Sequence, residues 1–310
     1  MDGYALTRKL ADLLDESLST SGFLDSQTSY DYLFMAAIEL ARRTKALTAE
    51  QTITTVADQA AYDLDPEYLG LYVTNSFKQF VVKLNDGTND RWLTFKPDPN
   101  RYFNNNTTST QYPYNFSIRD KRTLTDSISG TATSDGAASS GECTLTDSSA
   151  PFGDVEVGDT VHNTTDDSHG VVIELTSSSA IVTCLFGGTN NAWTSSDGYV
   201  VVPQGRKQIV LDPPPSTASY TLTVPYFAKP EPVYSPYRAY RFPDSFEVPL
   251  VKYAAWLYKY KDRDPNFGDA FYKHFDIETR KVSHETNMGH NRYRMGVNFN
   301  RRSLGDRSLY

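Results

Sequence analysis

Cysteine is scarce in this 310-residue sequence, which holds only Cys143 and Cys184. Two thiols exclude a disulfide scaffold and a zinc site built from several cysteines. Each cysteine lies in a run of strand-like composition, so we interpret both as small buried hydrophobic residues rather than as a disulfide. A chain of this length buries a sizeable core without such crosslinks.

Long apolar runs are also lacking. The first residues, from Met1 to Leu18, have neither the basic start nor the apolar stretch of a secretory signal. No uninterrupted apolar run approaches the roughly 18 residues that a membrane-spanning helix needs. We therefore expect a protein that is made in a cytoplasm and that enters no membrane.

Positive charge is missing from one long segment. Between Leu124 and Val200 there is no Lys or Arg, whereas 11 Asp and Glu occur there. Those 11 acids leave 27 of the 38 acidic residues for the rest of the chain, which holds all 30 Lys and Arg and so carries +3. The segment is rich in Ser, Thr and Gly, and turn formers such as Gly187-Gly188 separate its short apolar runs. This composition, with short apolar runs between turns, predicts an inserted all-β domain, barrel-like and antiparallel, over residues 124–201.

Helical periodicity marks both ends of the chain. Apolar residues recur at helical intervals in two stretches before position 45 and in two after position 243. They are Leu6, Leu10, Leu14, Leu33, Ala37, Leu40, Phe246, Leu250, Ala254, Phe267, Phe271 and Ile277. Asp244 or Ser245 can cap the third helix, and Pro265 suits the first turn of the fourth. We expect the two ends to meet in one four-helix core.

Runs of strand-like composition lie in the sequence between the two N-terminal and the two C-terminal helices. The predicted fold class is therefore α+β with an antiparallel portion. Excising 124–201 brings Ile118-Arg119 next to Gln208-Ile209-Val210, which predicts a hairpin with the insertion at its tip. The resulting division is 1–123 and 202–281 as the two parts of the core, 124–201 as the insertion, and 282–310 as a C-terminal arm.

Motifs for chemistry are absent. There is no phosphate loop, dinucleotide fingerprint, zinc-binding H-E-x-x-H or nucleophile elbow. His162 and His169 lie near Asp166 and Asp167 and could ligate a metal, but an ordinary solvated loop is the commoner case. Trp193 could stack on a sugar, although a Trp that anchors a barrel loop is commoner. We predict no enzyme, no catalytic residue, no cofactor and no metal.

Arginine and aromatic residues alternate in the last stretch, which has no sustained apolar period. Such a segment folds onto a partner more readily than alone. Docking on a protein is favoured over contact with nucleic acid because the arginines are sparse. The candidate binding residues are Arg292, Tyr293, Arg294, Phe299, Arg301 and Arg302.

The order of these elements resembles a known family. After the helical hairpin come the run from Thr52 to Tyr68, Ile209-Val210-Leu211-Asp212-Pro213, Thr221-Leu222-Thr223-Val224-Pro225, Phe242-Pro243-Asp244-Ser245-Phe246 and a helix through Val251-Lys252-Tyr253. This series is similar to the head-to-tail adaptor proteins of tailed bacteriophages, also called connector or tail accessory proteins. The insertion at 124–201 departs from the bare adaptor pattern.

The resemblance implies a structural virion protein rather than an enzyme. It implies a homo-oligomeric ring of about twelve copies at the head-tail junction, assembled in the host bacterial cytoplasm. The C-terminal arm would bind the portal protein through the six residues named above. A tail nozzle or tube protein or fibres would attach below, and genome DNA would pass through without sequence-specific binding. The alternatives are a peripheral tail protein whose insertion binds a fibre or a host glycan, and a tail-borne cell-wall hydrolase.

Overall fold

The computed structural model describes residues 1–18, 24–73, 80–97, 112–121, 126–136, 138–139, 141–261, 266 and 268–284. Within these residues the chain is mixed α+β, with antiparallel sheets and one sheet curled into a half barrel. This agrees with the predicted fold class. The helices are α1 (Gly3–Leu14), α2 (Ser26–Thr44), α3 (Glu247–Lys261) and α4 (residues 268–284).

The helix starts follow from capping. Asp2 and Asp25 precede α1 and α2, and each carboxylate accepts a hydrogen bond from the amide three residues ahead. Such a cap satisfies one of the backbone donors that a helix start leaves free. Both helices end at a residue in the left-handed conformation, Asp15 and Lys45.

All four helices contribute to one apolar core, as the periodicity predicts. Its buried members include Leu6, Leu10, Leu33, Leu40, Leu250, Ala254, Phe271, Phe275 and Val282. Ile277 is the exception among the predicted face residues that the structure describes, because it is half exposed. The buried face of α4 runs through 271, 275, 279 and 282, which turns position 277 outward. Helix α4 also extends to 284, three residues into the predicted arm, and Val282 belongs to the core.

Fifteen strands are defined in the described residues. They are β1 (Thr48–Thr54), β2 (Ala61–Asp63), β3 (Tyr68–Leu71), β4 (Lys83–Asn85), β5 (Asp90–Trp92), β6 (Thr94–Phe95), β7 (Asn115–Asp120), β8 (Ile128–Thr131), β9 (Cys143–Thr146), β10 (Thr160–Asn163), β11 (Ser168–Ser177), β12 (Ala180–Phe186), β13 (Gly198–Val202), β14 (Lys207–Asp212) and β15 (Thr221–Ala228).

Two sheets of the core pack face to face. The first has the order β1-β15-β4-β5, with β3 also paired to β15, and the second has the order β2-β14-β7-β6. Their shared apolar cluster includes Leu84, Phe116, Ile209 and Leu222, all of them fully buried. Gln51 of β1 links the sheets, since its side chain accepts from the Asp65 amide and donates to the Asp63 carbonyl.

The hairpin that the sequence predicts is present. Strands β7 and β14 pair with Ile118 opposite Ile209 and Arg119 opposite Gln208. The insertion leaves after Asp120 and returns at Lys207, and these two residues are themselves paired. The inserted segment therefore starts and ends at neighbouring points of one sheet.

The insertion forms a six-stranded sheet of its own, in the order β8-β13-β10-β11-β12-β9. After β8 the chain crosses toward β9, where the Thr133 amide donates to the Thr146 carbonyl over 2.8 Å. The inside is filled by large side chains, among them Phe152, Trp193 and Tyr199. The all-β, antiparallel character predicted for the segment is confirmed, and the sheet is curled into a half barrel.

Candidate functional site at the joint of the inserted sheet

The outer face of the inserted sheet packs on the helical core. Ile173 of β11 and Cys184 of β12 point out of the half barrel and form a buried cluster with Tyr30 and Tyr234. We call this cluster of four residues the joint. Tyr30 comes from α2 and Tyr234 from the proline-rich segment before α3, so the joint connects three distant parts of the chain.

A hydrogen bond orients Tyr234 in the joint, and Tyr30 packs beside it. The Tyr234 hydroxyl donates to Asp31 Oδ1 over 2.7 Å, and the Tyr30 and Tyr234 rings lie 6.0 Å apart. Burial raises the pKa of Tyr30 to about 12 and also raises the pKa of Asp31. Tyr30 therefore stays protonated over the physiological range, and it acts as a packing group with a polar end.

Arg238 adds an ionic clamp beside the joint. Its Nε and Nη2 donate to the Glu142 carboxylate over 3.0 and 3.1 Å, and Nη2 also reaches Glu174 over 2.6 Å. Burial would raise the pKa of Glu142, but hydrogen bonds from Arg238 and Ser235 hold it below its ordinary value. A planar guanidinium suits this two-point geometry, which a lysine cannot reproduce.

The same segment also holds the start of α1. The Gly3 amide donates to the Arg238 carbonyl over 2.8 Å, and Gly3 lies so close to Ser235 that a Cβ would come within 2.3 Å of its carbonyl oxygen. Glycine is therefore required at position 3 for close backbone approach. The N-terminal helix and the inserted sheet are thus fixed by one stretch, residues 234–238.

A second polar contact lies at the base of the insertion. Lys229 Nζ donates to Gln204 Oε1 over 2.8 Å, and burial lowers the pKa of Lys229. Beside it, Glu67, Glu231 and Arg241 line a cavity of about 80 Å³. Burial and the neighbouring Glu231 carboxylate raise the pKa of Glu67, while Arg241 pairs with Glu231 over 2.7 Å.

The acidic residues of the insertion serve its own loops to a large extent. Asp147 accepts from the Tyr199 hydroxyl over 2.6 Å, and Asp159 accepts from the Glu156 and Gln204 amides. Asp197 accepts from Asn163 and from an amide in its own loop. Three of the 11 acids are thus buried and committed to loop geometry.

The two histidines of the insertion do not converge on the aspartates. They face each other across β10 and β11, but His162 approaches Asp167 over 3.2 Å whereas His169 approaches Gln27 of α2 over 3.2 Å. Across the ranges that the structure describes, no group of three His, Cys, Asp or Glu is placed to hold a metal ion.

Trp193 is the loop anchor that the sequence favours. It is 1% exposed, and its indole nitrogen donates to Thr183 Oγ1 over 2.9 Å. A ring buried to this extent cannot stack on a sugar from solvent. Asp63 accepts a hydrogen bond from Lys121, and Asp65 accepts one from the Tyr226 hydroxyl.

The predicted portal-binding residues, Arg292, Tyr293, Arg294, Phe299, Arg301 and Arg302, all lie outside the described residues. The joint itself is not among the features that the sequence predicts. One signal was present: the segment 225–243 places Tyr234, Tyr237, Tyr240 and Phe242 among its prolines, and such aromatic density favours packing over a free linker.

Comparison with known proteins identifies no relative: no family model matches the chain, and no curated protein matches it either. In the part of the chain that the structure covers, no helix has both the length and the apolar character needed to cross a bilayer.

Proposed function

We propose that the chain is a structural subunit of a head-to-tail adaptor ring in a tailed bacteriophage, and not an enzyme. One observation carries the proposal: helices from both ends of the chain share a single core, and the last of them leads directly into the segment 285–310. A subunit built in this way offers a rigid wall element that is followed in the chain by the predicted portal-binding segment.

The fixed insertion is in keeping with such a role. A domain held by the joint, by Arg238 and by Lys229 keeps one orientation relative to the helices, as a platform for tail attachment requires. Repeated about twelve times around a ring, the insertions would present a regular array to a tail nozzle, a tail tube or fibres. The ring would leave a central channel for genome DNA, which passes without sequence-specific contacts.

The part of the proposal to test first is that the C-terminal segment binds the portal protein. The full chain and a chain that ends at His284 are each mixed with the candidate portal protein of the same genome and weighed by native mass spectrometry. Ending at 284 keeps Val282, which belongs to the helical core. We expect a complex of about twelve copies with the full chain and none with the shortened one.

A matched variant separates the loss of a segment from the loss of specific contacts. It keeps all 310 residues and replaces Arg292, Arg294, Arg301 and Arg302 by Ser and Tyr293 and Phe299 by Ala. We expect this variant to fold like the unaltered chain and to fail to join the portal. A complex that survives both changes, or a full chain that stays monomeric beside the portal, contradicts the proposal.

A further inference from the structure

The first core sheet has two unpaired edges. Within the described part of the chain, β15 is the only strand paired with β1, and β4 is the only strand paired with β5. An unpaired edge presents a row of free backbone donors and acceptors, which is a template for another strand.

The hydrogen bonds of β1 reveal which of its backbone groups point outward. Thr55 bonds to Tyr220, and Leu47 bonds to Ala228, so odd-numbered positions face β15. Residues of an antiparallel pair alternate between bonded and non-bonded positions. The amides and carbonyls of Thr48, Glu50, Thr52 and Thr54 therefore point away from β15.

Strand β1 carries one charged side chain, Glu50, and few of the other protections that edge strands usually have. It contains no Lys, Arg or Pro, and its register with β15 continues over seven pairs without a bulge. Natural proteins use such features to prevent unwanted pairing. A regular seven-residue edge without them is expected to have a partner strand.

The opposite edge is exposed and carries a large apolar side chain. All three residues of β5 are exposed, and Trp92 is 65% exposed. Leu93 bonds to Val82, and Asn89 bonds to Asp86, so odd-numbered positions of β5 face β4. The backbone groups of Asp90 and Trp92 therefore point outward.

The two edges match in direction and in face. Each neighbouring pair along β1-β15-β4-β5 is antiparallel, so β1 and β5 run in opposite directions. Thr52 stands in one row with Thr223, Lys83 and Trp92, and both ends of this row carry outward backbone groups. Copies placed side by side can continue the row as an ordinary antiparallel pair.

We propose that β5 of one copy pairs with β1 of the next copy, so that the sheet continues from subunit to subunit. This inference rests on the proposed ring, because the two edges are different surfaces and their contact is heterologous, the type that closes into a ring. The pairing is short, and repetition around a closed ring compensates for its length.

Two substitutions at one position test the pairing. Thr52→Pro removes an outward amide and leaves the β1–β15 hydrogen bonds in place, whereas Thr52→Val keeps the amide and the strand preference. Native mass spectrometry, alone and with the portal protein, is expected to show rings for the unaltered chain and for T52V but only monomers for T52P. Thermal unfolding of the T52P monomer checks that it is folded.

A crosslink that does not depend on T52P gives a second readout. Thr52→Cys and Asp90→Cys are combined in one chain and treated with a bismaleimide, while native Cys143 and Cys184 are 1% and 0% exposed and so are protected. We expect a ladder of covalent multimers for the double variant and none for either single variant.

The outcomes separate this inference from the proposed function. Rings that form with T52P, or that give no ladder with the double variant, overturn the strand pairing and leave the adaptor ring standing. An unaltered chain that forms no ring, alone or with the portal, overturns the proposed function and the pairing with it.

Discussion

Arg238 binds the carboxylate of Glu142 with two hydrogen bonds of 3.0 and 3.1 Å, although 96 positions separate the two residues in the chain. Glu142 precedes the first residue of β9, and Arg238 lies in the segment that leads to α3. The inserted sheet is thus tied to the helical core by a contact between two parts of the chain that are remote in sequence. The orientation of the inserted sheet is therefore set by contacts with the helical core as well as by the β7–β14 hairpin.

Replacement of Arg238 by Ala is expected to loosen the insertion without unfolding it. The change leaves Glu142 and Glu174 without their guanidinium, and a partly buried charge-assisted pair is worth about 1–2 kcal/mol. Hydrogen exchange should speed up in β9 and β11. Arg241→Ala is the matched control, because Arg241 is highly exposed and forms its ion pair with Glu231. We expect this control to change the free energy of unfolding by less than about 0.5 kcal/mol. Equal effects of the two variants would contradict the clamp.

Deletion of 124–201 with a short turn in its place should leave a folded core. Asp120 and Lys207 are paired, so a tight turn can join the ends. The deletion uncovers Tyr30 and Tyr234, and we expect a loss of about 2–4 kcal/mol in the free energy of unfolding. Chemical denaturation of the deleted and full chains measures it. A deleted chain as stable as the full one would show that the joint contributes nothing.

Glu67 is expected to make stability depend on pH. Its raised pKa means that the folded chain binds a proton more tightly than the unfolded chain, so its stabilising contribution is complete below about pH 4.5 and is lost as the pH rises through the folded pKa. The charged groups that interact with it are Glu231, Arg241, Asp65 and Lys229. The amide of Glu67→Gln does not titrate in this range. The difference in free energy of unfolding between Glu67→Gln and the unaltered chain should therefore shift in favour of Glu67→Gln from pH 4 to pH 8.

The control for this titration is Glu50→Gln, at an exposed position of β1. Glu50→Gln is denatured across the same pH range, so that the general effect of removing one carboxylate is subtracted from the effect at Glu67. A constant difference between Glu67→Gln and the unaltered chain at every pH would show that Glu67 does not titrate in a shifted range.

Tryptophan fluorescence distinguishes the three indoles by exposure. Trp92 is 65% exposed and Trp193 is 1% exposed, while Trp256 lies between them. We expect Trp92→Phe to remove most of the emission that acrylamide quenches, and Trp193→Phe to leave the quenchable part unchanged. Quenching that depends on Trp193 would mean that its loop opens to solvent. In that case the sugar-stacking hypothesis would return.

Local patterns predicted a large part of the fold. Leucines at helical spacing predicted α1 and α2, and the stretch without Lys and Arg between 124 and 200 contains nearly all of the six-stranded sheet. Excising that stretch from the sequence brings Ile118 and Ile209 together, which predicts the β7–β14 pairing that the structure shows. These predictions succeed because periodicity and turn chemistry are properties of neighbouring residues.

The joint was not predictable in the same way. Ile173 and Cys184 belong to apolar strands whose two faces look alike in sequence, and one face packs inside the half barrel while the other meets α2. No local pattern tells which outer-face residues will find a second partner.

The sequence by itself therefore determined the helices, the all-β character of the insertion and the β7–β14 hairpin that carries it, because each depends on short-range spacing. Only the tertiary structure decided that the insertion is held against α2, that Arg238 reaches Glu142, and that β1 and β5 form opposite edges of one sheet. Those features join surfaces that are far apart in the chain, and they exist only after the hairpin and the helical core have brought the surfaces together.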